Sequence, residues 1–230
     1  MAISGTVHAG ESPDVAAQGA TGGVADADDW VDERTLGFVP DRRRRYTADE
    51  VRALNAANPR RWPRYECVHG ELLVTPGPAP DHYCAATELW ARLNAYLGQA
   101  LPGARAVLSP ADMSWGGLLD TYVQPDAFVL AADVWRAVRG SNAWVDATQM
   151  LLAVEVVSSG SVKHDRVTKR DLYLEMGVPL YWIVDPRARH VEVWVPGVAE
   201  AVIERVSVRW QPEGAGEPFV LDVPGLFAEA

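Results

Sequence analysis

A mixed α/β domain built on a central sheet is predicted by three observations. Residues 151–186 run strand, turn, helix, strand, the signature of a parallel crossover. Residues 65–75 have the pattern of a hairpin, and strand-like runs at 191–195, 202–208 and 219–223 follow one another with no helix between them. The resulting order is helix, hairpin, helix, strands, crossover, strands. This is a central mixed sheet flanked by helices, with an N-terminal hairpin and C-terminal antiparallel strands, and not a fully alternating doubly wound fold.

Each element has a local reason. Thr47-Ala48-Asp49-Glu50 is a capping box, and Val51 and Leu54 supply the apolar side of the short helix that follows and ends at Asn58-Pro59. Strands at 65–68 and 71–75 flank a His69-Gly70 turn, with Glu71 and Leu73 on one face and Leu72 and Val74 on the other. After the Pro-rich loop 76–80, Asp81 is the expected N-cap of a helix to about residue 99 with a Leu89, Leu93, Tyr96/Leu97 stripe, ended by Pro102-Gly103. A strand is expected at 104–108 and another at 122–130, where Pro125 implies an edge, bend or bulge. A short helix or loop covers 133–140. The run 150–157 is apolar except for Glu155 and reads as a strand buried on both faces. The helix of the crossover spans 164–176, is stopped by Gly177 and Pro179, and leads to the apolar strand 180–184. Leu226 and Phe227 are expected to tuck back onto the core.

Composition narrows the classes. No apolar run is long enough to span a bilayer, and the N-terminus lacks the basic start and apolar core of a signal peptide, so a cytoplasmic protein is expected. Cys67 and Cys84 are then reduced thiols. The formal charge is −10, but residues 1–41 hold eight acids and one base, leaving 23 acids against 20 bases in the rest. The Ala-, Gly- and Asp-rich segment 1–45 is expected to be a disordered acidic tail, and 46–230 the folded domain. Such a domain is compatible with nucleic acid without pointing to it. The 21 basic residues include only two lysines, Lys163 and Lys169, both inside the crossover. Coding bias towards arginine explains this as well as a need for a compact, titratable ammonium.

Three acids fall on predicted strands among apolar neighbours: Glu71, Asp126 and Glu155. A carboxylate in such a place must be paired, protonated or bound to a metal. Convergent carboxylates make a hard-oxygen site suited to Mg²⁺ or Mn²⁺, and with an ammonium nearby such a site can hold a phosphodiester and orient a water. Asp165, Lys169 and Tyr173 share one helix face at i, i+4, i+8. Zinc is disfavoured, because the cysteines form no CxxC and the five histidines lack ligand spacing. His82 opens the long helix and is either structural or aimed at the site. No GxSxG elbow and no phosphate-cradling glycine loop is present.

The ordered set of motifs resembles a known family. Tyr65-Glu66, Gly70-Glu71-Leu72, His82, Pro125-Asp126, Glu155-Val156-Val157-Ser158, then Asp165, Lys169 and Tyr173, then 177–185 (GVPLYWIVD) are similar to the bacterial Uma family of candidate restriction endonucleases, within the PD-(D/E)xK superfamily. The resemblance spans about 46–227 and implies a restriction-endonuclease-like core. The superfamily's lysine position, two after the acid, is Val157 here; the resemblance places that lysine on the following helix, at Lys169. It implies Glu71, Asp126 and Glu155, with the Val156 carbonyl, as ligands of Mg²⁺ (or Mn²⁺). Lys169 would position or help activate the attacking water and stabilise charge. His82, Asp165 and Tyr173 would orient these groups or touch substrate.

The expectation is therefore a metal-dependent endonuclease hydrolysing DNA phosphodiester bonds, with DNA as partner and a homodimer by analogy with enzymes that cut both strands. The acidic charge favours an alternative of another class, a catalytically silent interaction module that retained the fold. A hydrolase with a small or RNA substrate is a third.

Overall fold

The structure is a computed structural model that describes residues 40–60, 62–111, 113–139 and 144–228. The expected tail, 1–45, falls mostly outside the described residues. Contacts with the domain already begin at Asp41, whose carbonyl accepts the Tyr46 hydroxyl, and at Arg44, which pairs with Glu50 at 2.9 Å.

A six-stranded mixed sheet forms the centre, in the order β10-β9-β8-β7-β5-β3. Here β3 is Arg105–Leu108, β5 Ala127–Leu130, β7 Met150–Val156, β8 Tyr181–Asp185, β9 His190–Trp194 and β10 Val202–Glu204. The β7–β8 pair is parallel, as the crossover requires, and its neighbours on both sides are antiparallel. Alternation along β7 sends Val154 and Val156 to one face, against Leu89, Leu93 and Leu97 of α2 (Pro80–Ala100). The same face takes Trp210, Phe219 and Leu221 from the hairpin β11–β12 (Ser207–Trp210, Phe219–Asp222). Ala153 and Val157 face the other way, with Leu172 and Tyr173 of α4 (Arg170–Glu175). Glu155 lies between them in sequence and shares that second face.

The capping box at Thr47 forms in both directions and starts α1 (Ala48–Ala57). This helix covers Tyr65, Cys67 and Leu72 of the hairpin β1–β2 (Arg64–Val68, Glu71–Thr75). The hairpin turn needs φ of 47° at His69 and 81° at Gly70. Cys67 joins the hairpin to Tyr122 through reciprocal backbone bonds of 2.9 and 2.8 Å.

Four elements differ from expectation. Helix α2 begins at Pro80 with Ala79 as a bare N-cap, because proline suits the first helical position, where no N–H is needed; Asp81 is inside it. Strand β5 begins only at Ala127, so Pro125 precedes the ladder and Asp126 hangs at its entrance. The run 202–208 is broken: β10 ends at Glu204, and β11 starts a separate two-stranded sheet at Ser207. The crossover helix is not uniform. Its first part, His164–Lys169, is a π-turn that passes into α4. Leu226 and Phe227 are buried as expected, at the end of the short helix α5 (Val223–Leu226). Among the described residues no helix is long and apolar enough to cross a membrane.

Candidate active site

Glu155 is 1% exposed in the middle of the sheet. Its Oε1 accepts hydrogen bonds from Lys169 Nζ at 3.1 Å and from the Tyr173 hydroxyl at 2.8 Å. Tyr173 is itself held between the rings of Trp115 and Tyr181, with centroids 5.4 and 4.6 Å away. Lys169 is the hub. Its buried ammonium also lies 2.9 Å from Glu66 Oε2 and 3.6 Å from Asp165 Oδ1. The expectation that a helix-borne lysine would aim back at the strand is met in geometry.

Asp126 joins from the entrance of β5. Its Oδ2 accepts the Val156 N–H at 2.9 Å and faces His82 Nε2 at 3.0 Å. Its Oδ1 lies 3.8 Å from Arg64, which in turn stands 3.7 Å from Glu66. His82 thus points into the site from the first turn of α2. Val156 touches Asp126 through its N–H.

Glu71 is not brought in. It is exposed, at the turn end of β2, opposite Val68. Glu66 takes the place expected of it. The register explains both facts: Glu66 opposes Leu73 and Val68 opposes Glu71, so Glu66, Leu73 and Glu71 share one face. Glu71 sits one same-face step nearer the turn, where the hairpin reaches solvent. Glu66 is 0% exposed, and its Oε1 and Oε2 accept from the Gln124 N–H at 2.8 Å and the Thr75 hydroxyl at 3.3 Å. Two adjacent residues were likewise missed as site components, Arg64 and Thr75, neither of which stands out in sequence.

Asp126, Glu155, Asp165 and Lys169 line a cavity of about 10 Å³, room for roughly one water. Pro76, which also lines it, packs closely on Gly160, where a Cβ would meet Pro76 Cγ at 2.7 Å. Both carboxylate oxygens of Asp165 are buried and accept no hydrogen bond.

The charges are unbalanced. Four carboxyls (Glu66, Asp126, Glu155, Asp165) face two permanent cations, Arg64 and Lys169. Burial pushes every acid up, and neighbours decide the net direction. Asp126 ends below its ordinary range, because the His82 bond and the charges of His82, Arg64 and Lys169 outweigh burial. Glu66 is also lowered, by Lys169 and Arg64 against burial. Glu155 is raised well above its ordinary value; burial dominates, Lys169 opposes it, and Asp126, Asp165 and Glu66 add to it. Asp165 is pushed up to about 6 by burial, opposed by Lys169 and by the nearby Ser161 hydroxyl and assisted by Asp126 and Glu66. Lys169 is disfavoured as a cation by burial, but Glu155, Glu66 and Asp165 overcompensate and its pKa is raised, so it stays an ammonium.

Among the described residues, no three acids, imidazoles or thiols converge closely enough to cage a metal. A Mg²⁺-type ion does not ask for a cage, since it keeps waters and takes one or two carboxylates plus substrate phosphate. Excess carboxylate charge and the unbonded oxygens of Asp165 fit such an ion. Cys67 and Cys84 are free thiols, and burial pushes Cys67 up to about 12.

No curated protein matches the chain. The crystal structure of "a putative nuclease belonging to DUF820" from Anabaena variabilis matches with a TM-score of 0.63 and 23% identity, covering 80% of this chain and 98% of that one. At that identity the likeness establishes the fold. The model of the Uma2 family, described as "Putative restriction endonuclease", matches residues 48–224. That match takes in β1, Asp126, Glu155 and the crossover helix, and more than half of the 230 residues, so the chain belongs to the Uma2 family.

Proposed function

We infer that the protein is a metal-dependent nuclease that hydrolyses DNA phosphodiester bonds at the Lys169 cavity. The observation that carries this reading is one buried ammonium at the focus of Glu66, Glu155 and Asp165, in a cavity shared with Asp126. Asp126 and Glu155, with the Val156 carbonyl, are the residues that would hold a divalent cation such as Mg²⁺. That cation would supply Lewis-acid polarisation of the phosphate and charge neutralisation beside the carboxylates.

The chain's own groups divide the remaining work. Lys169 has its pKa raised, so it serves as a fixed donor that orients the attacking water and stabilises charge on the phosphorane-like transition state, not as a base. Asp165 suits the base role, being raised to about 6 with both oxygens unbonded. It takes the water's proton as the new P–O bond forms; the ester P–O bond breaks, and the leaving alkoxide is protonated from solvent. Tyr173 holds Glu155, and His82 and Val156 hold Asp126, which fixes the two carboxylates before substrate arrives. Glu66 neutralises one side of Lys169 and anchors Arg64.

The test is nicking of plasmid DNA with Mg²⁺ or Mn²⁺ by wild type, Asp126→Asn and Glu155→Gln. Wild type should nick only with metal, and each variant should lose at least about 100-fold in rate. Cleavage that persists unchanged in both variants removes the site assignment. Absence of any metal-dependent cleavage by wild type favours the silent-module alternative.

A further inference from the structure

Next to the cavity lies a groove of about 630 Å³, bordered by Trp62, Tyr83, Ala86, Leu108, Pro110 and Gln124. It is continuous with the cavity, since Trp62, Arg64, Pro78, His82 and Asp126 line both. We propose that this groove holds a nucleobase freed from its complementary strand, beside the scissile phosphate, so that the protein prefers single-stranded or forked DNA to a continuous duplex. The proposal rests on the nuclease reading and names its substrate class.

Three observations carry it. The walls are aromatic and apolar, and two aromatic side chains stand open in them: Tyr83 is 64% exposed and Trp62 36%. A large exposed aromatic is costly to leave in water and is the usual platform for an unpaired base, whatever its identity. Trp62 is also backed from behind. The Gly77 backbone lies against it, where a Cβ would stand 3.4 Å from the indole Cγ. Arg64 sits with its guanidinium 5.7 Å from the ring centroid. The indole is thus fixed in place rather than loose on the surface.

The second observation is size. A volume of this order falls in the range of roughly 300–1,000 Å³ typical of small-molecule sites. It has room for a base and its sugar, with Asp126 at its border.

The third is charge. Duplex binding draws most of its affinity from cations spread along the phosphates. The cations at this site, Arg64 and Lys169, are both turned to carboxylates of the chain itself. Stacking must therefore supply much of the grip, and stacking requires an unpaired base. Polar groups at the groove margin, the Ser109 and Thr87 hydroxyls, keep acceptor capacity beyond their bonds within the chain and can meet a base edge.

The experiment is fluorescence anisotropy in Ca²⁺ with the full chain and one labelled sequence presented as single strand, fork and blunt duplex. Wild type should bind the single strand and fork at least about 10-fold more tightly than the duplex. Tyr83→Ala and Trp62→Ala should each weaken single-strand binding by about 10-fold, while Tyr83→Phe, which keeps the ring, stays within about 2-fold of wild type. Tyr83 is mostly solvated on a helix surface, so its variants test binding without threatening the fold. Equal or tighter binding of the duplex, no binding of any form, or single-strand affinity unchanged in both alanine variants overturns the proposal. Metal-dependent cleavage without strand preference would leave the nuclease reading standing and remove the base site. Single-strand preference without cleavage would do the reverse.

Discussion

Lys169 and Arg166 leave the same π-turn and each grips acidic side chains, yet the two networks are built to opposite ends. Arg166 pairs with Asp185 and Glu192 at 2.6 Å each, and its side chain is 29% exposed. Both acids lie on neighbouring strands, β8 and β9, and Asp185 also accepts the Ala188 N–H at 2.8 Å. Asp185 is held below its ordinary range: burial works against that, and the Ala188 and Arg166 bonds prevail. Lys169 meets more acids, with its own side chain buried, and leaves Glu155 and Asp165 raised and the Asp165 oxygens without a hydrogen-bond partner. One network is satisfied by the chain alone. The other keeps two buried Asp165 oxygens without a hydrogen-bond partner, and the proposed function rests on this contrast.

The largest effect expected is from breaking the two hubs. Lys169→Met strands buried carboxylates with no cation, so it should cost about 3–5 kcal/mol of stability. It should also abolish cleavage. Arg166→Met removes a partly exposed cation whose acids keep other partners, the Ala188 N–H for Asp185 and His190 for Glu192, and should cost only about 1–2 kcal/mol after screening, with cleavage retained. Urea denaturation and plasmid nicking of both variants give the comparison. Equal costs, or loss of nicking in Arg166→Met, would show that the two networks are not distinct in kind.

Much of the site was legible because it breaks local rules. Glu155 interrupts an apolar strand, and Lys169 is one of two lysines in an arginine-rich chain. The first has a physical cause, a buried carboxylate that needs a partner, and the second marks the residue that the fold places against it. The error at Glu71 was one of register. Its face was correctly read, but only the rung-by-rung pairing across His69-Gly70 shows that Glu66 lies deeper on that face. Pro125 suggests an edge, bend or bulge inside a strand over 122–130, but β5 starts only at Ala127, and Asp126 at its entrance reaches across to the Val156 N–H. The π-turn carries Asp165 and Lys169, both buried, and no residue type in 164–169 marks it.

A second effect, of intermediate size, separates the networks by pH. Asp165 has its pKa raised to about 6, above its unfolded value near 3.8. Between those values the folded state binds more protons, so this group lowers stability at neutral pH and the penalty fades as pH falls towards 4. The ceiling set by the two values is about 3 kcal/mol. Asp165→Asn should therefore melt above wild type at pH 8, with the advantage gone by about pH 4, and Mg²⁺ should raise wild type more than the variant. An Asn variant that melts below wild type at pH 8 would mean that Asp165 stabilises the metal-free fold after all.

The smallest effect is expected at Asp185, and its sign is opposite. A carboxyl whose folded pKa is depressed stabilises the fold above its unfolded pKa, and that stability is lost as pH falls through the folded value. Asp185→Asn should thus melt below wild type at pH 7, by an amount that shrinks in acid, and Mg²⁺ should leave the gap unchanged because Arg166 already neutralises the acid. The two Asp→Asn melting curves, plotted as differences from wild type, should slope in opposite directions with pH. Parallel slopes would place Asp185 and Asp165 in one electrostatic unit and dissolve the contrast between clamp and site. Opposed slopes, with only the Asp165 curve responding to metal, would locate the unmet charge on the Lys169 side of the helix.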